Sequence, residues 1–293
     1  FNSPFAEGKA PENTIQSIRQ AFQAGADGVE IDVFLTQDKI PVIYAKNEID
    51  GCPVNQLTLK DVKNVRLARD VSIPTLKEAL VELADITACS RGGEFLINIE
   101  LKGEGVAEYT QEELEPFLAD GSLSSESILF SSFDWDKLSL IRELSPQARI
   151  QATIATVHLF EKNVVKMPGY NVCLKQEYNK NAFEGLKSYL AEHECVAVDV
   201  PTLDIREEMF NAVRDLKIGF CTHPSGPRKL ERAPMLQETI SRLYNYSLEV
   251  DAPVCLKVDD IAAARSIVED IKAGRSSDDI NALERVCGMH FLP

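Results

Sequence analysis

The chain has 293 residues, 44% of them hydrophobic and 26% charged, with a formal net charge of −15. That length suits one large domain or two small ones, and the composition is that of a folded globular chain. So acidic a surface repels nucleic acid and anionic lipid, and no basic patch in the sequence offsets it, so neither is an expected partner.

The first predicted helix follows Asn13-Thr14, a capping pair, with Ile15, Ile18 and Phe22 on one face and Gly25 at its end. GVEIDVFLT, residues 28–36, then reads as a strand, and KIPVIYA, 39–45, as a second short extended run. LTLKDVKNV (57–65) and IPTLKEALVELADI (73–86) read as helices, the second with Pro74 at its start, where a missing N–H does no harm. Apolar runs bounded by turns follow at 95–102, 127–133, 148–154, 195–201, 217–223 and 252–258. Helical patterns separate most of them, DIREEMFNAVRDL at 204–216 being one.

Near-continuous apolar strands alternating with helices predict a parallel sheet. With a strand at Asn2–Phe5 the count reaches eight, the number of a (β/α)8 TIM barrel in a single 1–293 domain. A doubly wound open sheet competes, but no GxGxxG follows the first strand. Two stretches fit the alternation poorly. Residues 155–194 exceed one helix, with YNVCLKQ (170–176) a possible extra strand, and 224–251 form a long connection that opens on PSGPRK.

The seven cysteines, at 52, 89, 173, 195, 221, 255 and 287, are odd in number and contain no CxxC. Reduced, partly buried thiols of a cytoplasmic protein are the expectation. No apolar run approaches the roughly 20 residues of a membrane span, so no integral membrane segment is expected. The chain opens on Phe1, not Met, which leaves processing or trimming open.

The chemistry-bearing residues sit on the apolar strands. Glu30 and Asp32 lie two apart, so they share a face, and the same spacing puts Glu100 and Lys102 on one face of INIELK. Carboxylates grouped this way repel unless a positive charge lies between them. They can supply hard oxygen ligands to Mg²⁺ or Ca²⁺, with a lysine free to meet a phosphate oxygen. Equally, they can be salt-bridged groups at strand ends.

The words APENT (10–14), GADGVEIDVFLTQD (25–38), PVIY (41–44), LTLKDVKNV (57–65), IPTLKEAL (73–80), INIELKGE (97–104) and SSFD (131–134) occur in an order and spacing that resemble the glycerophosphodiester phosphodiesterase family. That resemblance implies a phospholipase-C-like TIM barrel. It implies Glu30, Asp32 and Glu100 as metal ligands, Glu12 lining the site and Lys102 facing the phosphate of a small phosphodiester or phosphosugar. The second half matches weakly, with Cys221 where the family usually has Trp.

The family's acid–base histidines are missing. The first belongs about eight residues before the Pro of PENT, where this chain has Ser3, or Asn2 with a one-residue shift. The second follows the PVIY-like strand, which here continues Ala45-Lys46. The chain's histidines are 158, 193, 223 and 290, all in the second half. Lost general acid–base help slows such a step typically 10²–10⁴-fold per group. Three readings follow. One is a divergent enzyme in which His223, at a predicted strand end, or Lys46 takes a lost role, with Lys46 and Lys9 supplying positive charge near the lost sites, acting as a hydrolase or as a phosphoryl transferase that makes a sugar phosphodiester. The second is a pseudoenzyme that binds a phosphodiester or phosphosugar without turnover. The third is a structural role.

Overall fold

The computed structural model describes residues 10–68, 70–90, 95–154, 180–201, 210–211, 213–223, 233–258, 261, 265–266, 268–269 and 286–290. They fall into two compact units, one built mainly from 1–149 and the other mainly from 172–290 with 150–166.

In the first unit the elements in chain order are α1 (Ile15–Gln23), β1 (Gly28–Leu35), β2 (Pro41–Ile43), α2 (Leu59–Asn64), α3 (Leu76–Cys89), β3 (Leu96–Leu101), α4 (Val106–Ala119), β4 (Ile128–Ser132) and α5 (Trp135–Leu144). Each early helix starts on a threonine. Thr14, Thr58 and Thr75 all close reciprocal capping boxes, with Ser17, Asp61 and Glu78 respectively. Gly25, at φ 84°, follows the end of α1 as anticipated. Pro74 does not open α3. Thr75 accepts from the Glu78 N–H and donates its own N–H back to Glu78 at 2.8 Å, so the proline lies one residue outside the cap.

β1 pairs in parallel with β3 over six residues, from Gly28 opposite Leu96 to Val33 opposite Leu101, and β3 pairs in parallel with β4. Val29, Ile31, Val33, Ile97 and Ile99 are all fully buried, as are Leu76, Ala79, Leu80 and Leu83 of α3. Full burial of an aliphatic side chain of this size stabilises by about 1.5–3 kcal/mol. The KIPVIYA run is a shorter strand than its pattern predicts. β2 pairs antiparallel to β1, with Val33 opposite Ile43. Phe34, Val42, Ile49, Val54, Val62 and Ile73 form a satellite core beside it.

Gly28 opens β1 against the backbone of Leu96. A Cβ there would stand 2.4 Å from the Leu96 carbonyl oxygen, which is backbone and cannot swing away. Gly28→Ala should therefore lower stability by about 1–3 kcal/mol, as overpacking does. Urea unfolding of the two proteins checks this, and an unchanged midpoint would contradict it.

The second unit contains β5 (Ile150–Thr153), α6 (Lys180–Glu192), β6 (Ala197–Pro201), β7 (Gly219–His223), α7 (Ala233–Val250), β8 (Val254–Val258) and β9 (Val286–His290). β5 to β9 are paired in sequence order, every pair parallel. Phe210, Phe220 and Tyr246 pack together, with ring centroids 4.6–5.5 Å apart. The Tyr246 hydroxyl donates to the Ile218 carbonyl at 3.0 Å. Burial pushes that phenol up to about 12, so it remains a donor. A buried ion pair joins Lys257 Nζ to Asp199 Oδ2 at 2.6 Å.

Among the described residues eight strands make parallel pairings: β1, β3 and β4 in the first unit and β5 to β9 in the second. The strand expected at Asn2–Phe5 lies outside the described residues. β9 was not anticipated, because VCGMH is short and interrupted by a glycine. The extra strand considered at 170–176 and the loop PSGPRK also lie outside the described residues. The long connection at 224–251 contains α7, an 18-residue helix. Of the helix expected at 204–216, the described part comprises helical Phe210, Asn211 and Val213 and a 3-10 turn at Arg214–Leu216. Among the described residues no helix is long and apolar enough to cross a membrane.

Candidate active site

Parallel register brings the acidic residues together. Asp32 on β1 lies directly opposite Glu100 on β3, and Glu100 lies opposite Ser131 on β4. One layer towards the strand starts, Glu30 is opposite Asn98, and Asn98 opposite Leu129. Lateral partners share a sheet face, so both carboxylates of β1 and that of β3 project from the same side.

Lys102, just past the end of β3, turns its ammonium onto this face. Its Nζ lies 3.1 Å from Asp32 Oδ1 and also donates to Glu100 Oε1. The Phe133 ring lies beneath the same ammonium, 5.4 Å from its centroid. All three side chains of the ion triad are largely withdrawn from solvent, with exposures of 8% for Lys102, 14% for Asp32 and 4% for Glu100.

The PENT loop is clamped to this cluster. Asn13 Nδ2 donates to Asp32 Oδ2 at 3.0 Å, and the Asp32 N–H donates back to Asn13 Oδ1 at 2.8 Å. Asn13 takes φ 53°, the left-handed region that asparagine tolerates. Burial raises the Asp32 carboxyl above its ordinary value. Lys102 opposes that shift and Glu100 adds to it. A raised value means that the charged form of Asp32 opposes folding. The contribution of the neutral form is full below the ordinary carboxylate value of about 3.9. It is lost as pH rises through the raised value. The charged form of Asp32 gains from any added positive charge beside it.

The structure therefore brings together Asp32, Glu100 and Lys102, with Glu30 on the same face in the next layer. Glu30 is buried, at 3% exposure. Glu12 is half-buried and close enough to Tyr44 to push its phenol up, after burial and Asp50. Lys46 is exposed and Ala45 half-buried. His223 is the last residue of β7, in the second unit. Asn2, Ser3 and Lys9 lie outside the described residues. Among the described residues no three acidic, histidine or cysteine side chains converge to hold a metal ion. The donor chemistry nonetheless fits a hard divalent cation: paired buried carboxylates, and a positive charge already bridging two of them.

Sequence reasoning missed Asn13 and Phe133 as site residues. The signal for Asn13 was present. An asparagine beside a helix cap can hold a left-handed turn and offers both a donor and an acceptor. Nothing in the sequence marked the Phe133 ring, since its meeting with Lys102 depends on how the chain leaves β4.

The phosphodiesterase from Oleispira antarctica, solved in complex with the product sn-glycerol-3-phosphate, is similar to this chain with a TM-score of 0.63 at 20% identity, over 90% of this chain and 93% of that one. The fold is a (β/α)8 TIM barrel of the phosphodiesterase type. The YqiK protein of Bacillus subtilis is 30% identical over 182 residues, which are 57% of this chain and 72% of that protein. The glycerophosphodiester phosphodiesterase of Bacillus altitudinis is 29% identical over 189 residues, 58% of this chain and 73% of that protein. The family model of the glycerophosphoryl diester phosphodiesterases matches residues 6–200, and the chain belongs to that family.

Proposed function

We propose that the protein is a divergent phosphodiesterase that acts on a small glycerol- or sugar-linked phosphodiester at a divalent-cation site formed by Glu30, Asp32 and Glu100. The observation that carries this reading is the Lys102 ammonium bridging Asp32 and Glu100 on adjacent strands of a family barrel. Two buried carboxylates that already require a cation between them make a site in which Mg²⁺ or Ca²⁺ replaces that ammonium. The cation, when bound, neutralises phosphate charge and polarises the phosphoryl oxygen. Lys102 then has its donors available for a phosphate oxygen, where a fixed positive charge stabilises the developing charge of displacement. Asn13 holds the Asp32 carboxylate in one orientation through its paired hydrogen bonds. Glu12, at the edge of the PENT loop, lines the substrate side.

The proton transfers fall to a residue outside the family's histidine positions, with His223 and Lys46 as the candidates. The chain has no histidine before residue 158. That same fact favours a second reading, a protein that binds a phosphodiester or phosphosugar without turnover.

Both readings require cation-dependent phosphate binding. In ³¹P NMR, the line of sn-glycerol 3-phosphate should broaden on adding protein with Ca²⁺ or Mg²⁺, and stay sharp with a chelator or with Glu100→Ala. Broadening that ignores the cation, or no broadening at all, would count against the site.

A further inference from the structure

Beside the carboxylates stand buried polar groups. Both amide atoms of Asn98 and the hydroxyl of Ser131 are buried and have no hydrogen-bond partner among the described residues. Neither residue is exposed at all. Their places are not arbitrary. Asn98 is the lateral partner of Glu30, and Ser131 the lateral partner of Glu100. An orphaned buried polar atom opposes folding, and an apolar side chain of the same shape would serve a core better.

We propose that Asn98 and Ser131 form the polar floor of the cation site and hydrogen-bond the water that the cation retains. The inference rests on the cation reading above and extends it to two residues that ligate nothing themselves. An amide offers two N–H donors and a carbonyl acceptor, and a serine hydroxyl both donates and accepts. Hard divalent cations keep part of their water, and those waters need acceptors. Side chains that hold such outer contacts typically change metal affinity 10–100-fold when removed.

Two variants test this, Ser131→Ala and Asn98→Leu, each read by calorimetric titration with Ca²⁺ and Mg²⁺ and by thermal unfolding in chelator. Cation affinity should fall about 10–100-fold in each. The metal-free midpoint should hold or rise, because each substitution deletes unsatisfied atoms. Affinity equal to that of the wild type overturns the inference, and so does a metal-free midpoint that drops by several degrees, which marks an ordinary structural role. Failure of the underlying reading looks different: the wild type itself then binds neither cation, and Glu100→Gln titrates as the wild type does.

Discussion

Lys102→Met should lower the unfolding free energy of the metal-free protein by about 3–5 kcal/mol, the range for breaking a buried ion pair from one side. The reason is what remains. Asp32 and Glu100 are opposite one another on β1 and β3, both largely buried, and Lys102 bridges them. Without it two carboxylates face each other across one strand spacing, and methionine offers neither charge nor hydrogen bond. The second half of the expectation is more specific. Ca²⁺ or Mg²⁺ should rescue the variant by more than it stabilises the wild type, where the ammonium already holds the carboxylates. A cation at 100 times its dissociation constant supplies about 2.7 kcal/mol. Urea unfolding in chelator and in cation gives the four numbers required. A variant as stable as the wild type would mean that the triad is not desolvated as its exposure indicates. A destabilised variant that no cation rescues would mean that these carboxylates do not form a cation site.

Lys257→Met should be of similar size, about 3–5 kcal/mol, and should show no cation rescue. Lys257 and Asp199 are 1% and 0% exposed and meet at 2.6 Å. Here Lys257 faces Asp199, with buried Cys255 and Cys221 beside them. The thiol of Cys255 is held well above its ordinary value, first by its hydrogen bond with Cys221 and then by burial, so it remains neutral and adds no second negative charge beside Asp199. Adding Asp199→Leu to Lys257→Met should recover much of the loss, since it removes the stranded charge. A double variant no better than the single would show that packing, and not charge, carries the effect. The two lysines thus form a matched pair of experiments, one at the candidate site and one in the second unit, differing in the response to cation.

The strand positions were largely legible in the sequence, for a physical reason. Strands covered on both faces are nearly continuous in apolar residues, so β1 and β3 to β8 stand out as runs. β9 did not, because five residues with a central glycine carry too little apolar signal to separate from a loop. The capping threonines were legible only in part. Thr14 is marked by the apolar face that follows it, while at α3 Pro74 is the stronger local signal although the reciprocal bond of Thr75 with Glu78 sets the boundary. At the site, a spacing of two put Glu30 with Asp32 and Glu100 with Lys102 before any fold was known. Register is a different matter. Nothing in either strand alone says that Asp32 lies opposite Glu100 and not Asn98, and that pairing decides which carboxylates share Lys102. The Asn13 clamp was hidden for the same reason, since it joins residues 19 positions apart through a loop geometry that composition does not encode.

The proposed reaction is phosphodiester cleavage at a divalent cation held by Glu30, Asp32 and Glu100, in a chain that lacks the family's histidine words. The most direct measurement is ³¹P NMR of a panel of glycerol- and sugar-linked phosphodiesters, glycerophosphocholine among them, incubated with the protein in Ca²⁺, in Mg²⁺ and in chelator, and repeated with Glu100→Ala. A phosphomonoester product that grows only with cation and only in the wild type is the expected result. Hydrolysis that persists in chelator or in Glu100→Ala would contradict the site, and cation-dependent binding without any product would contradict the hydrolysis.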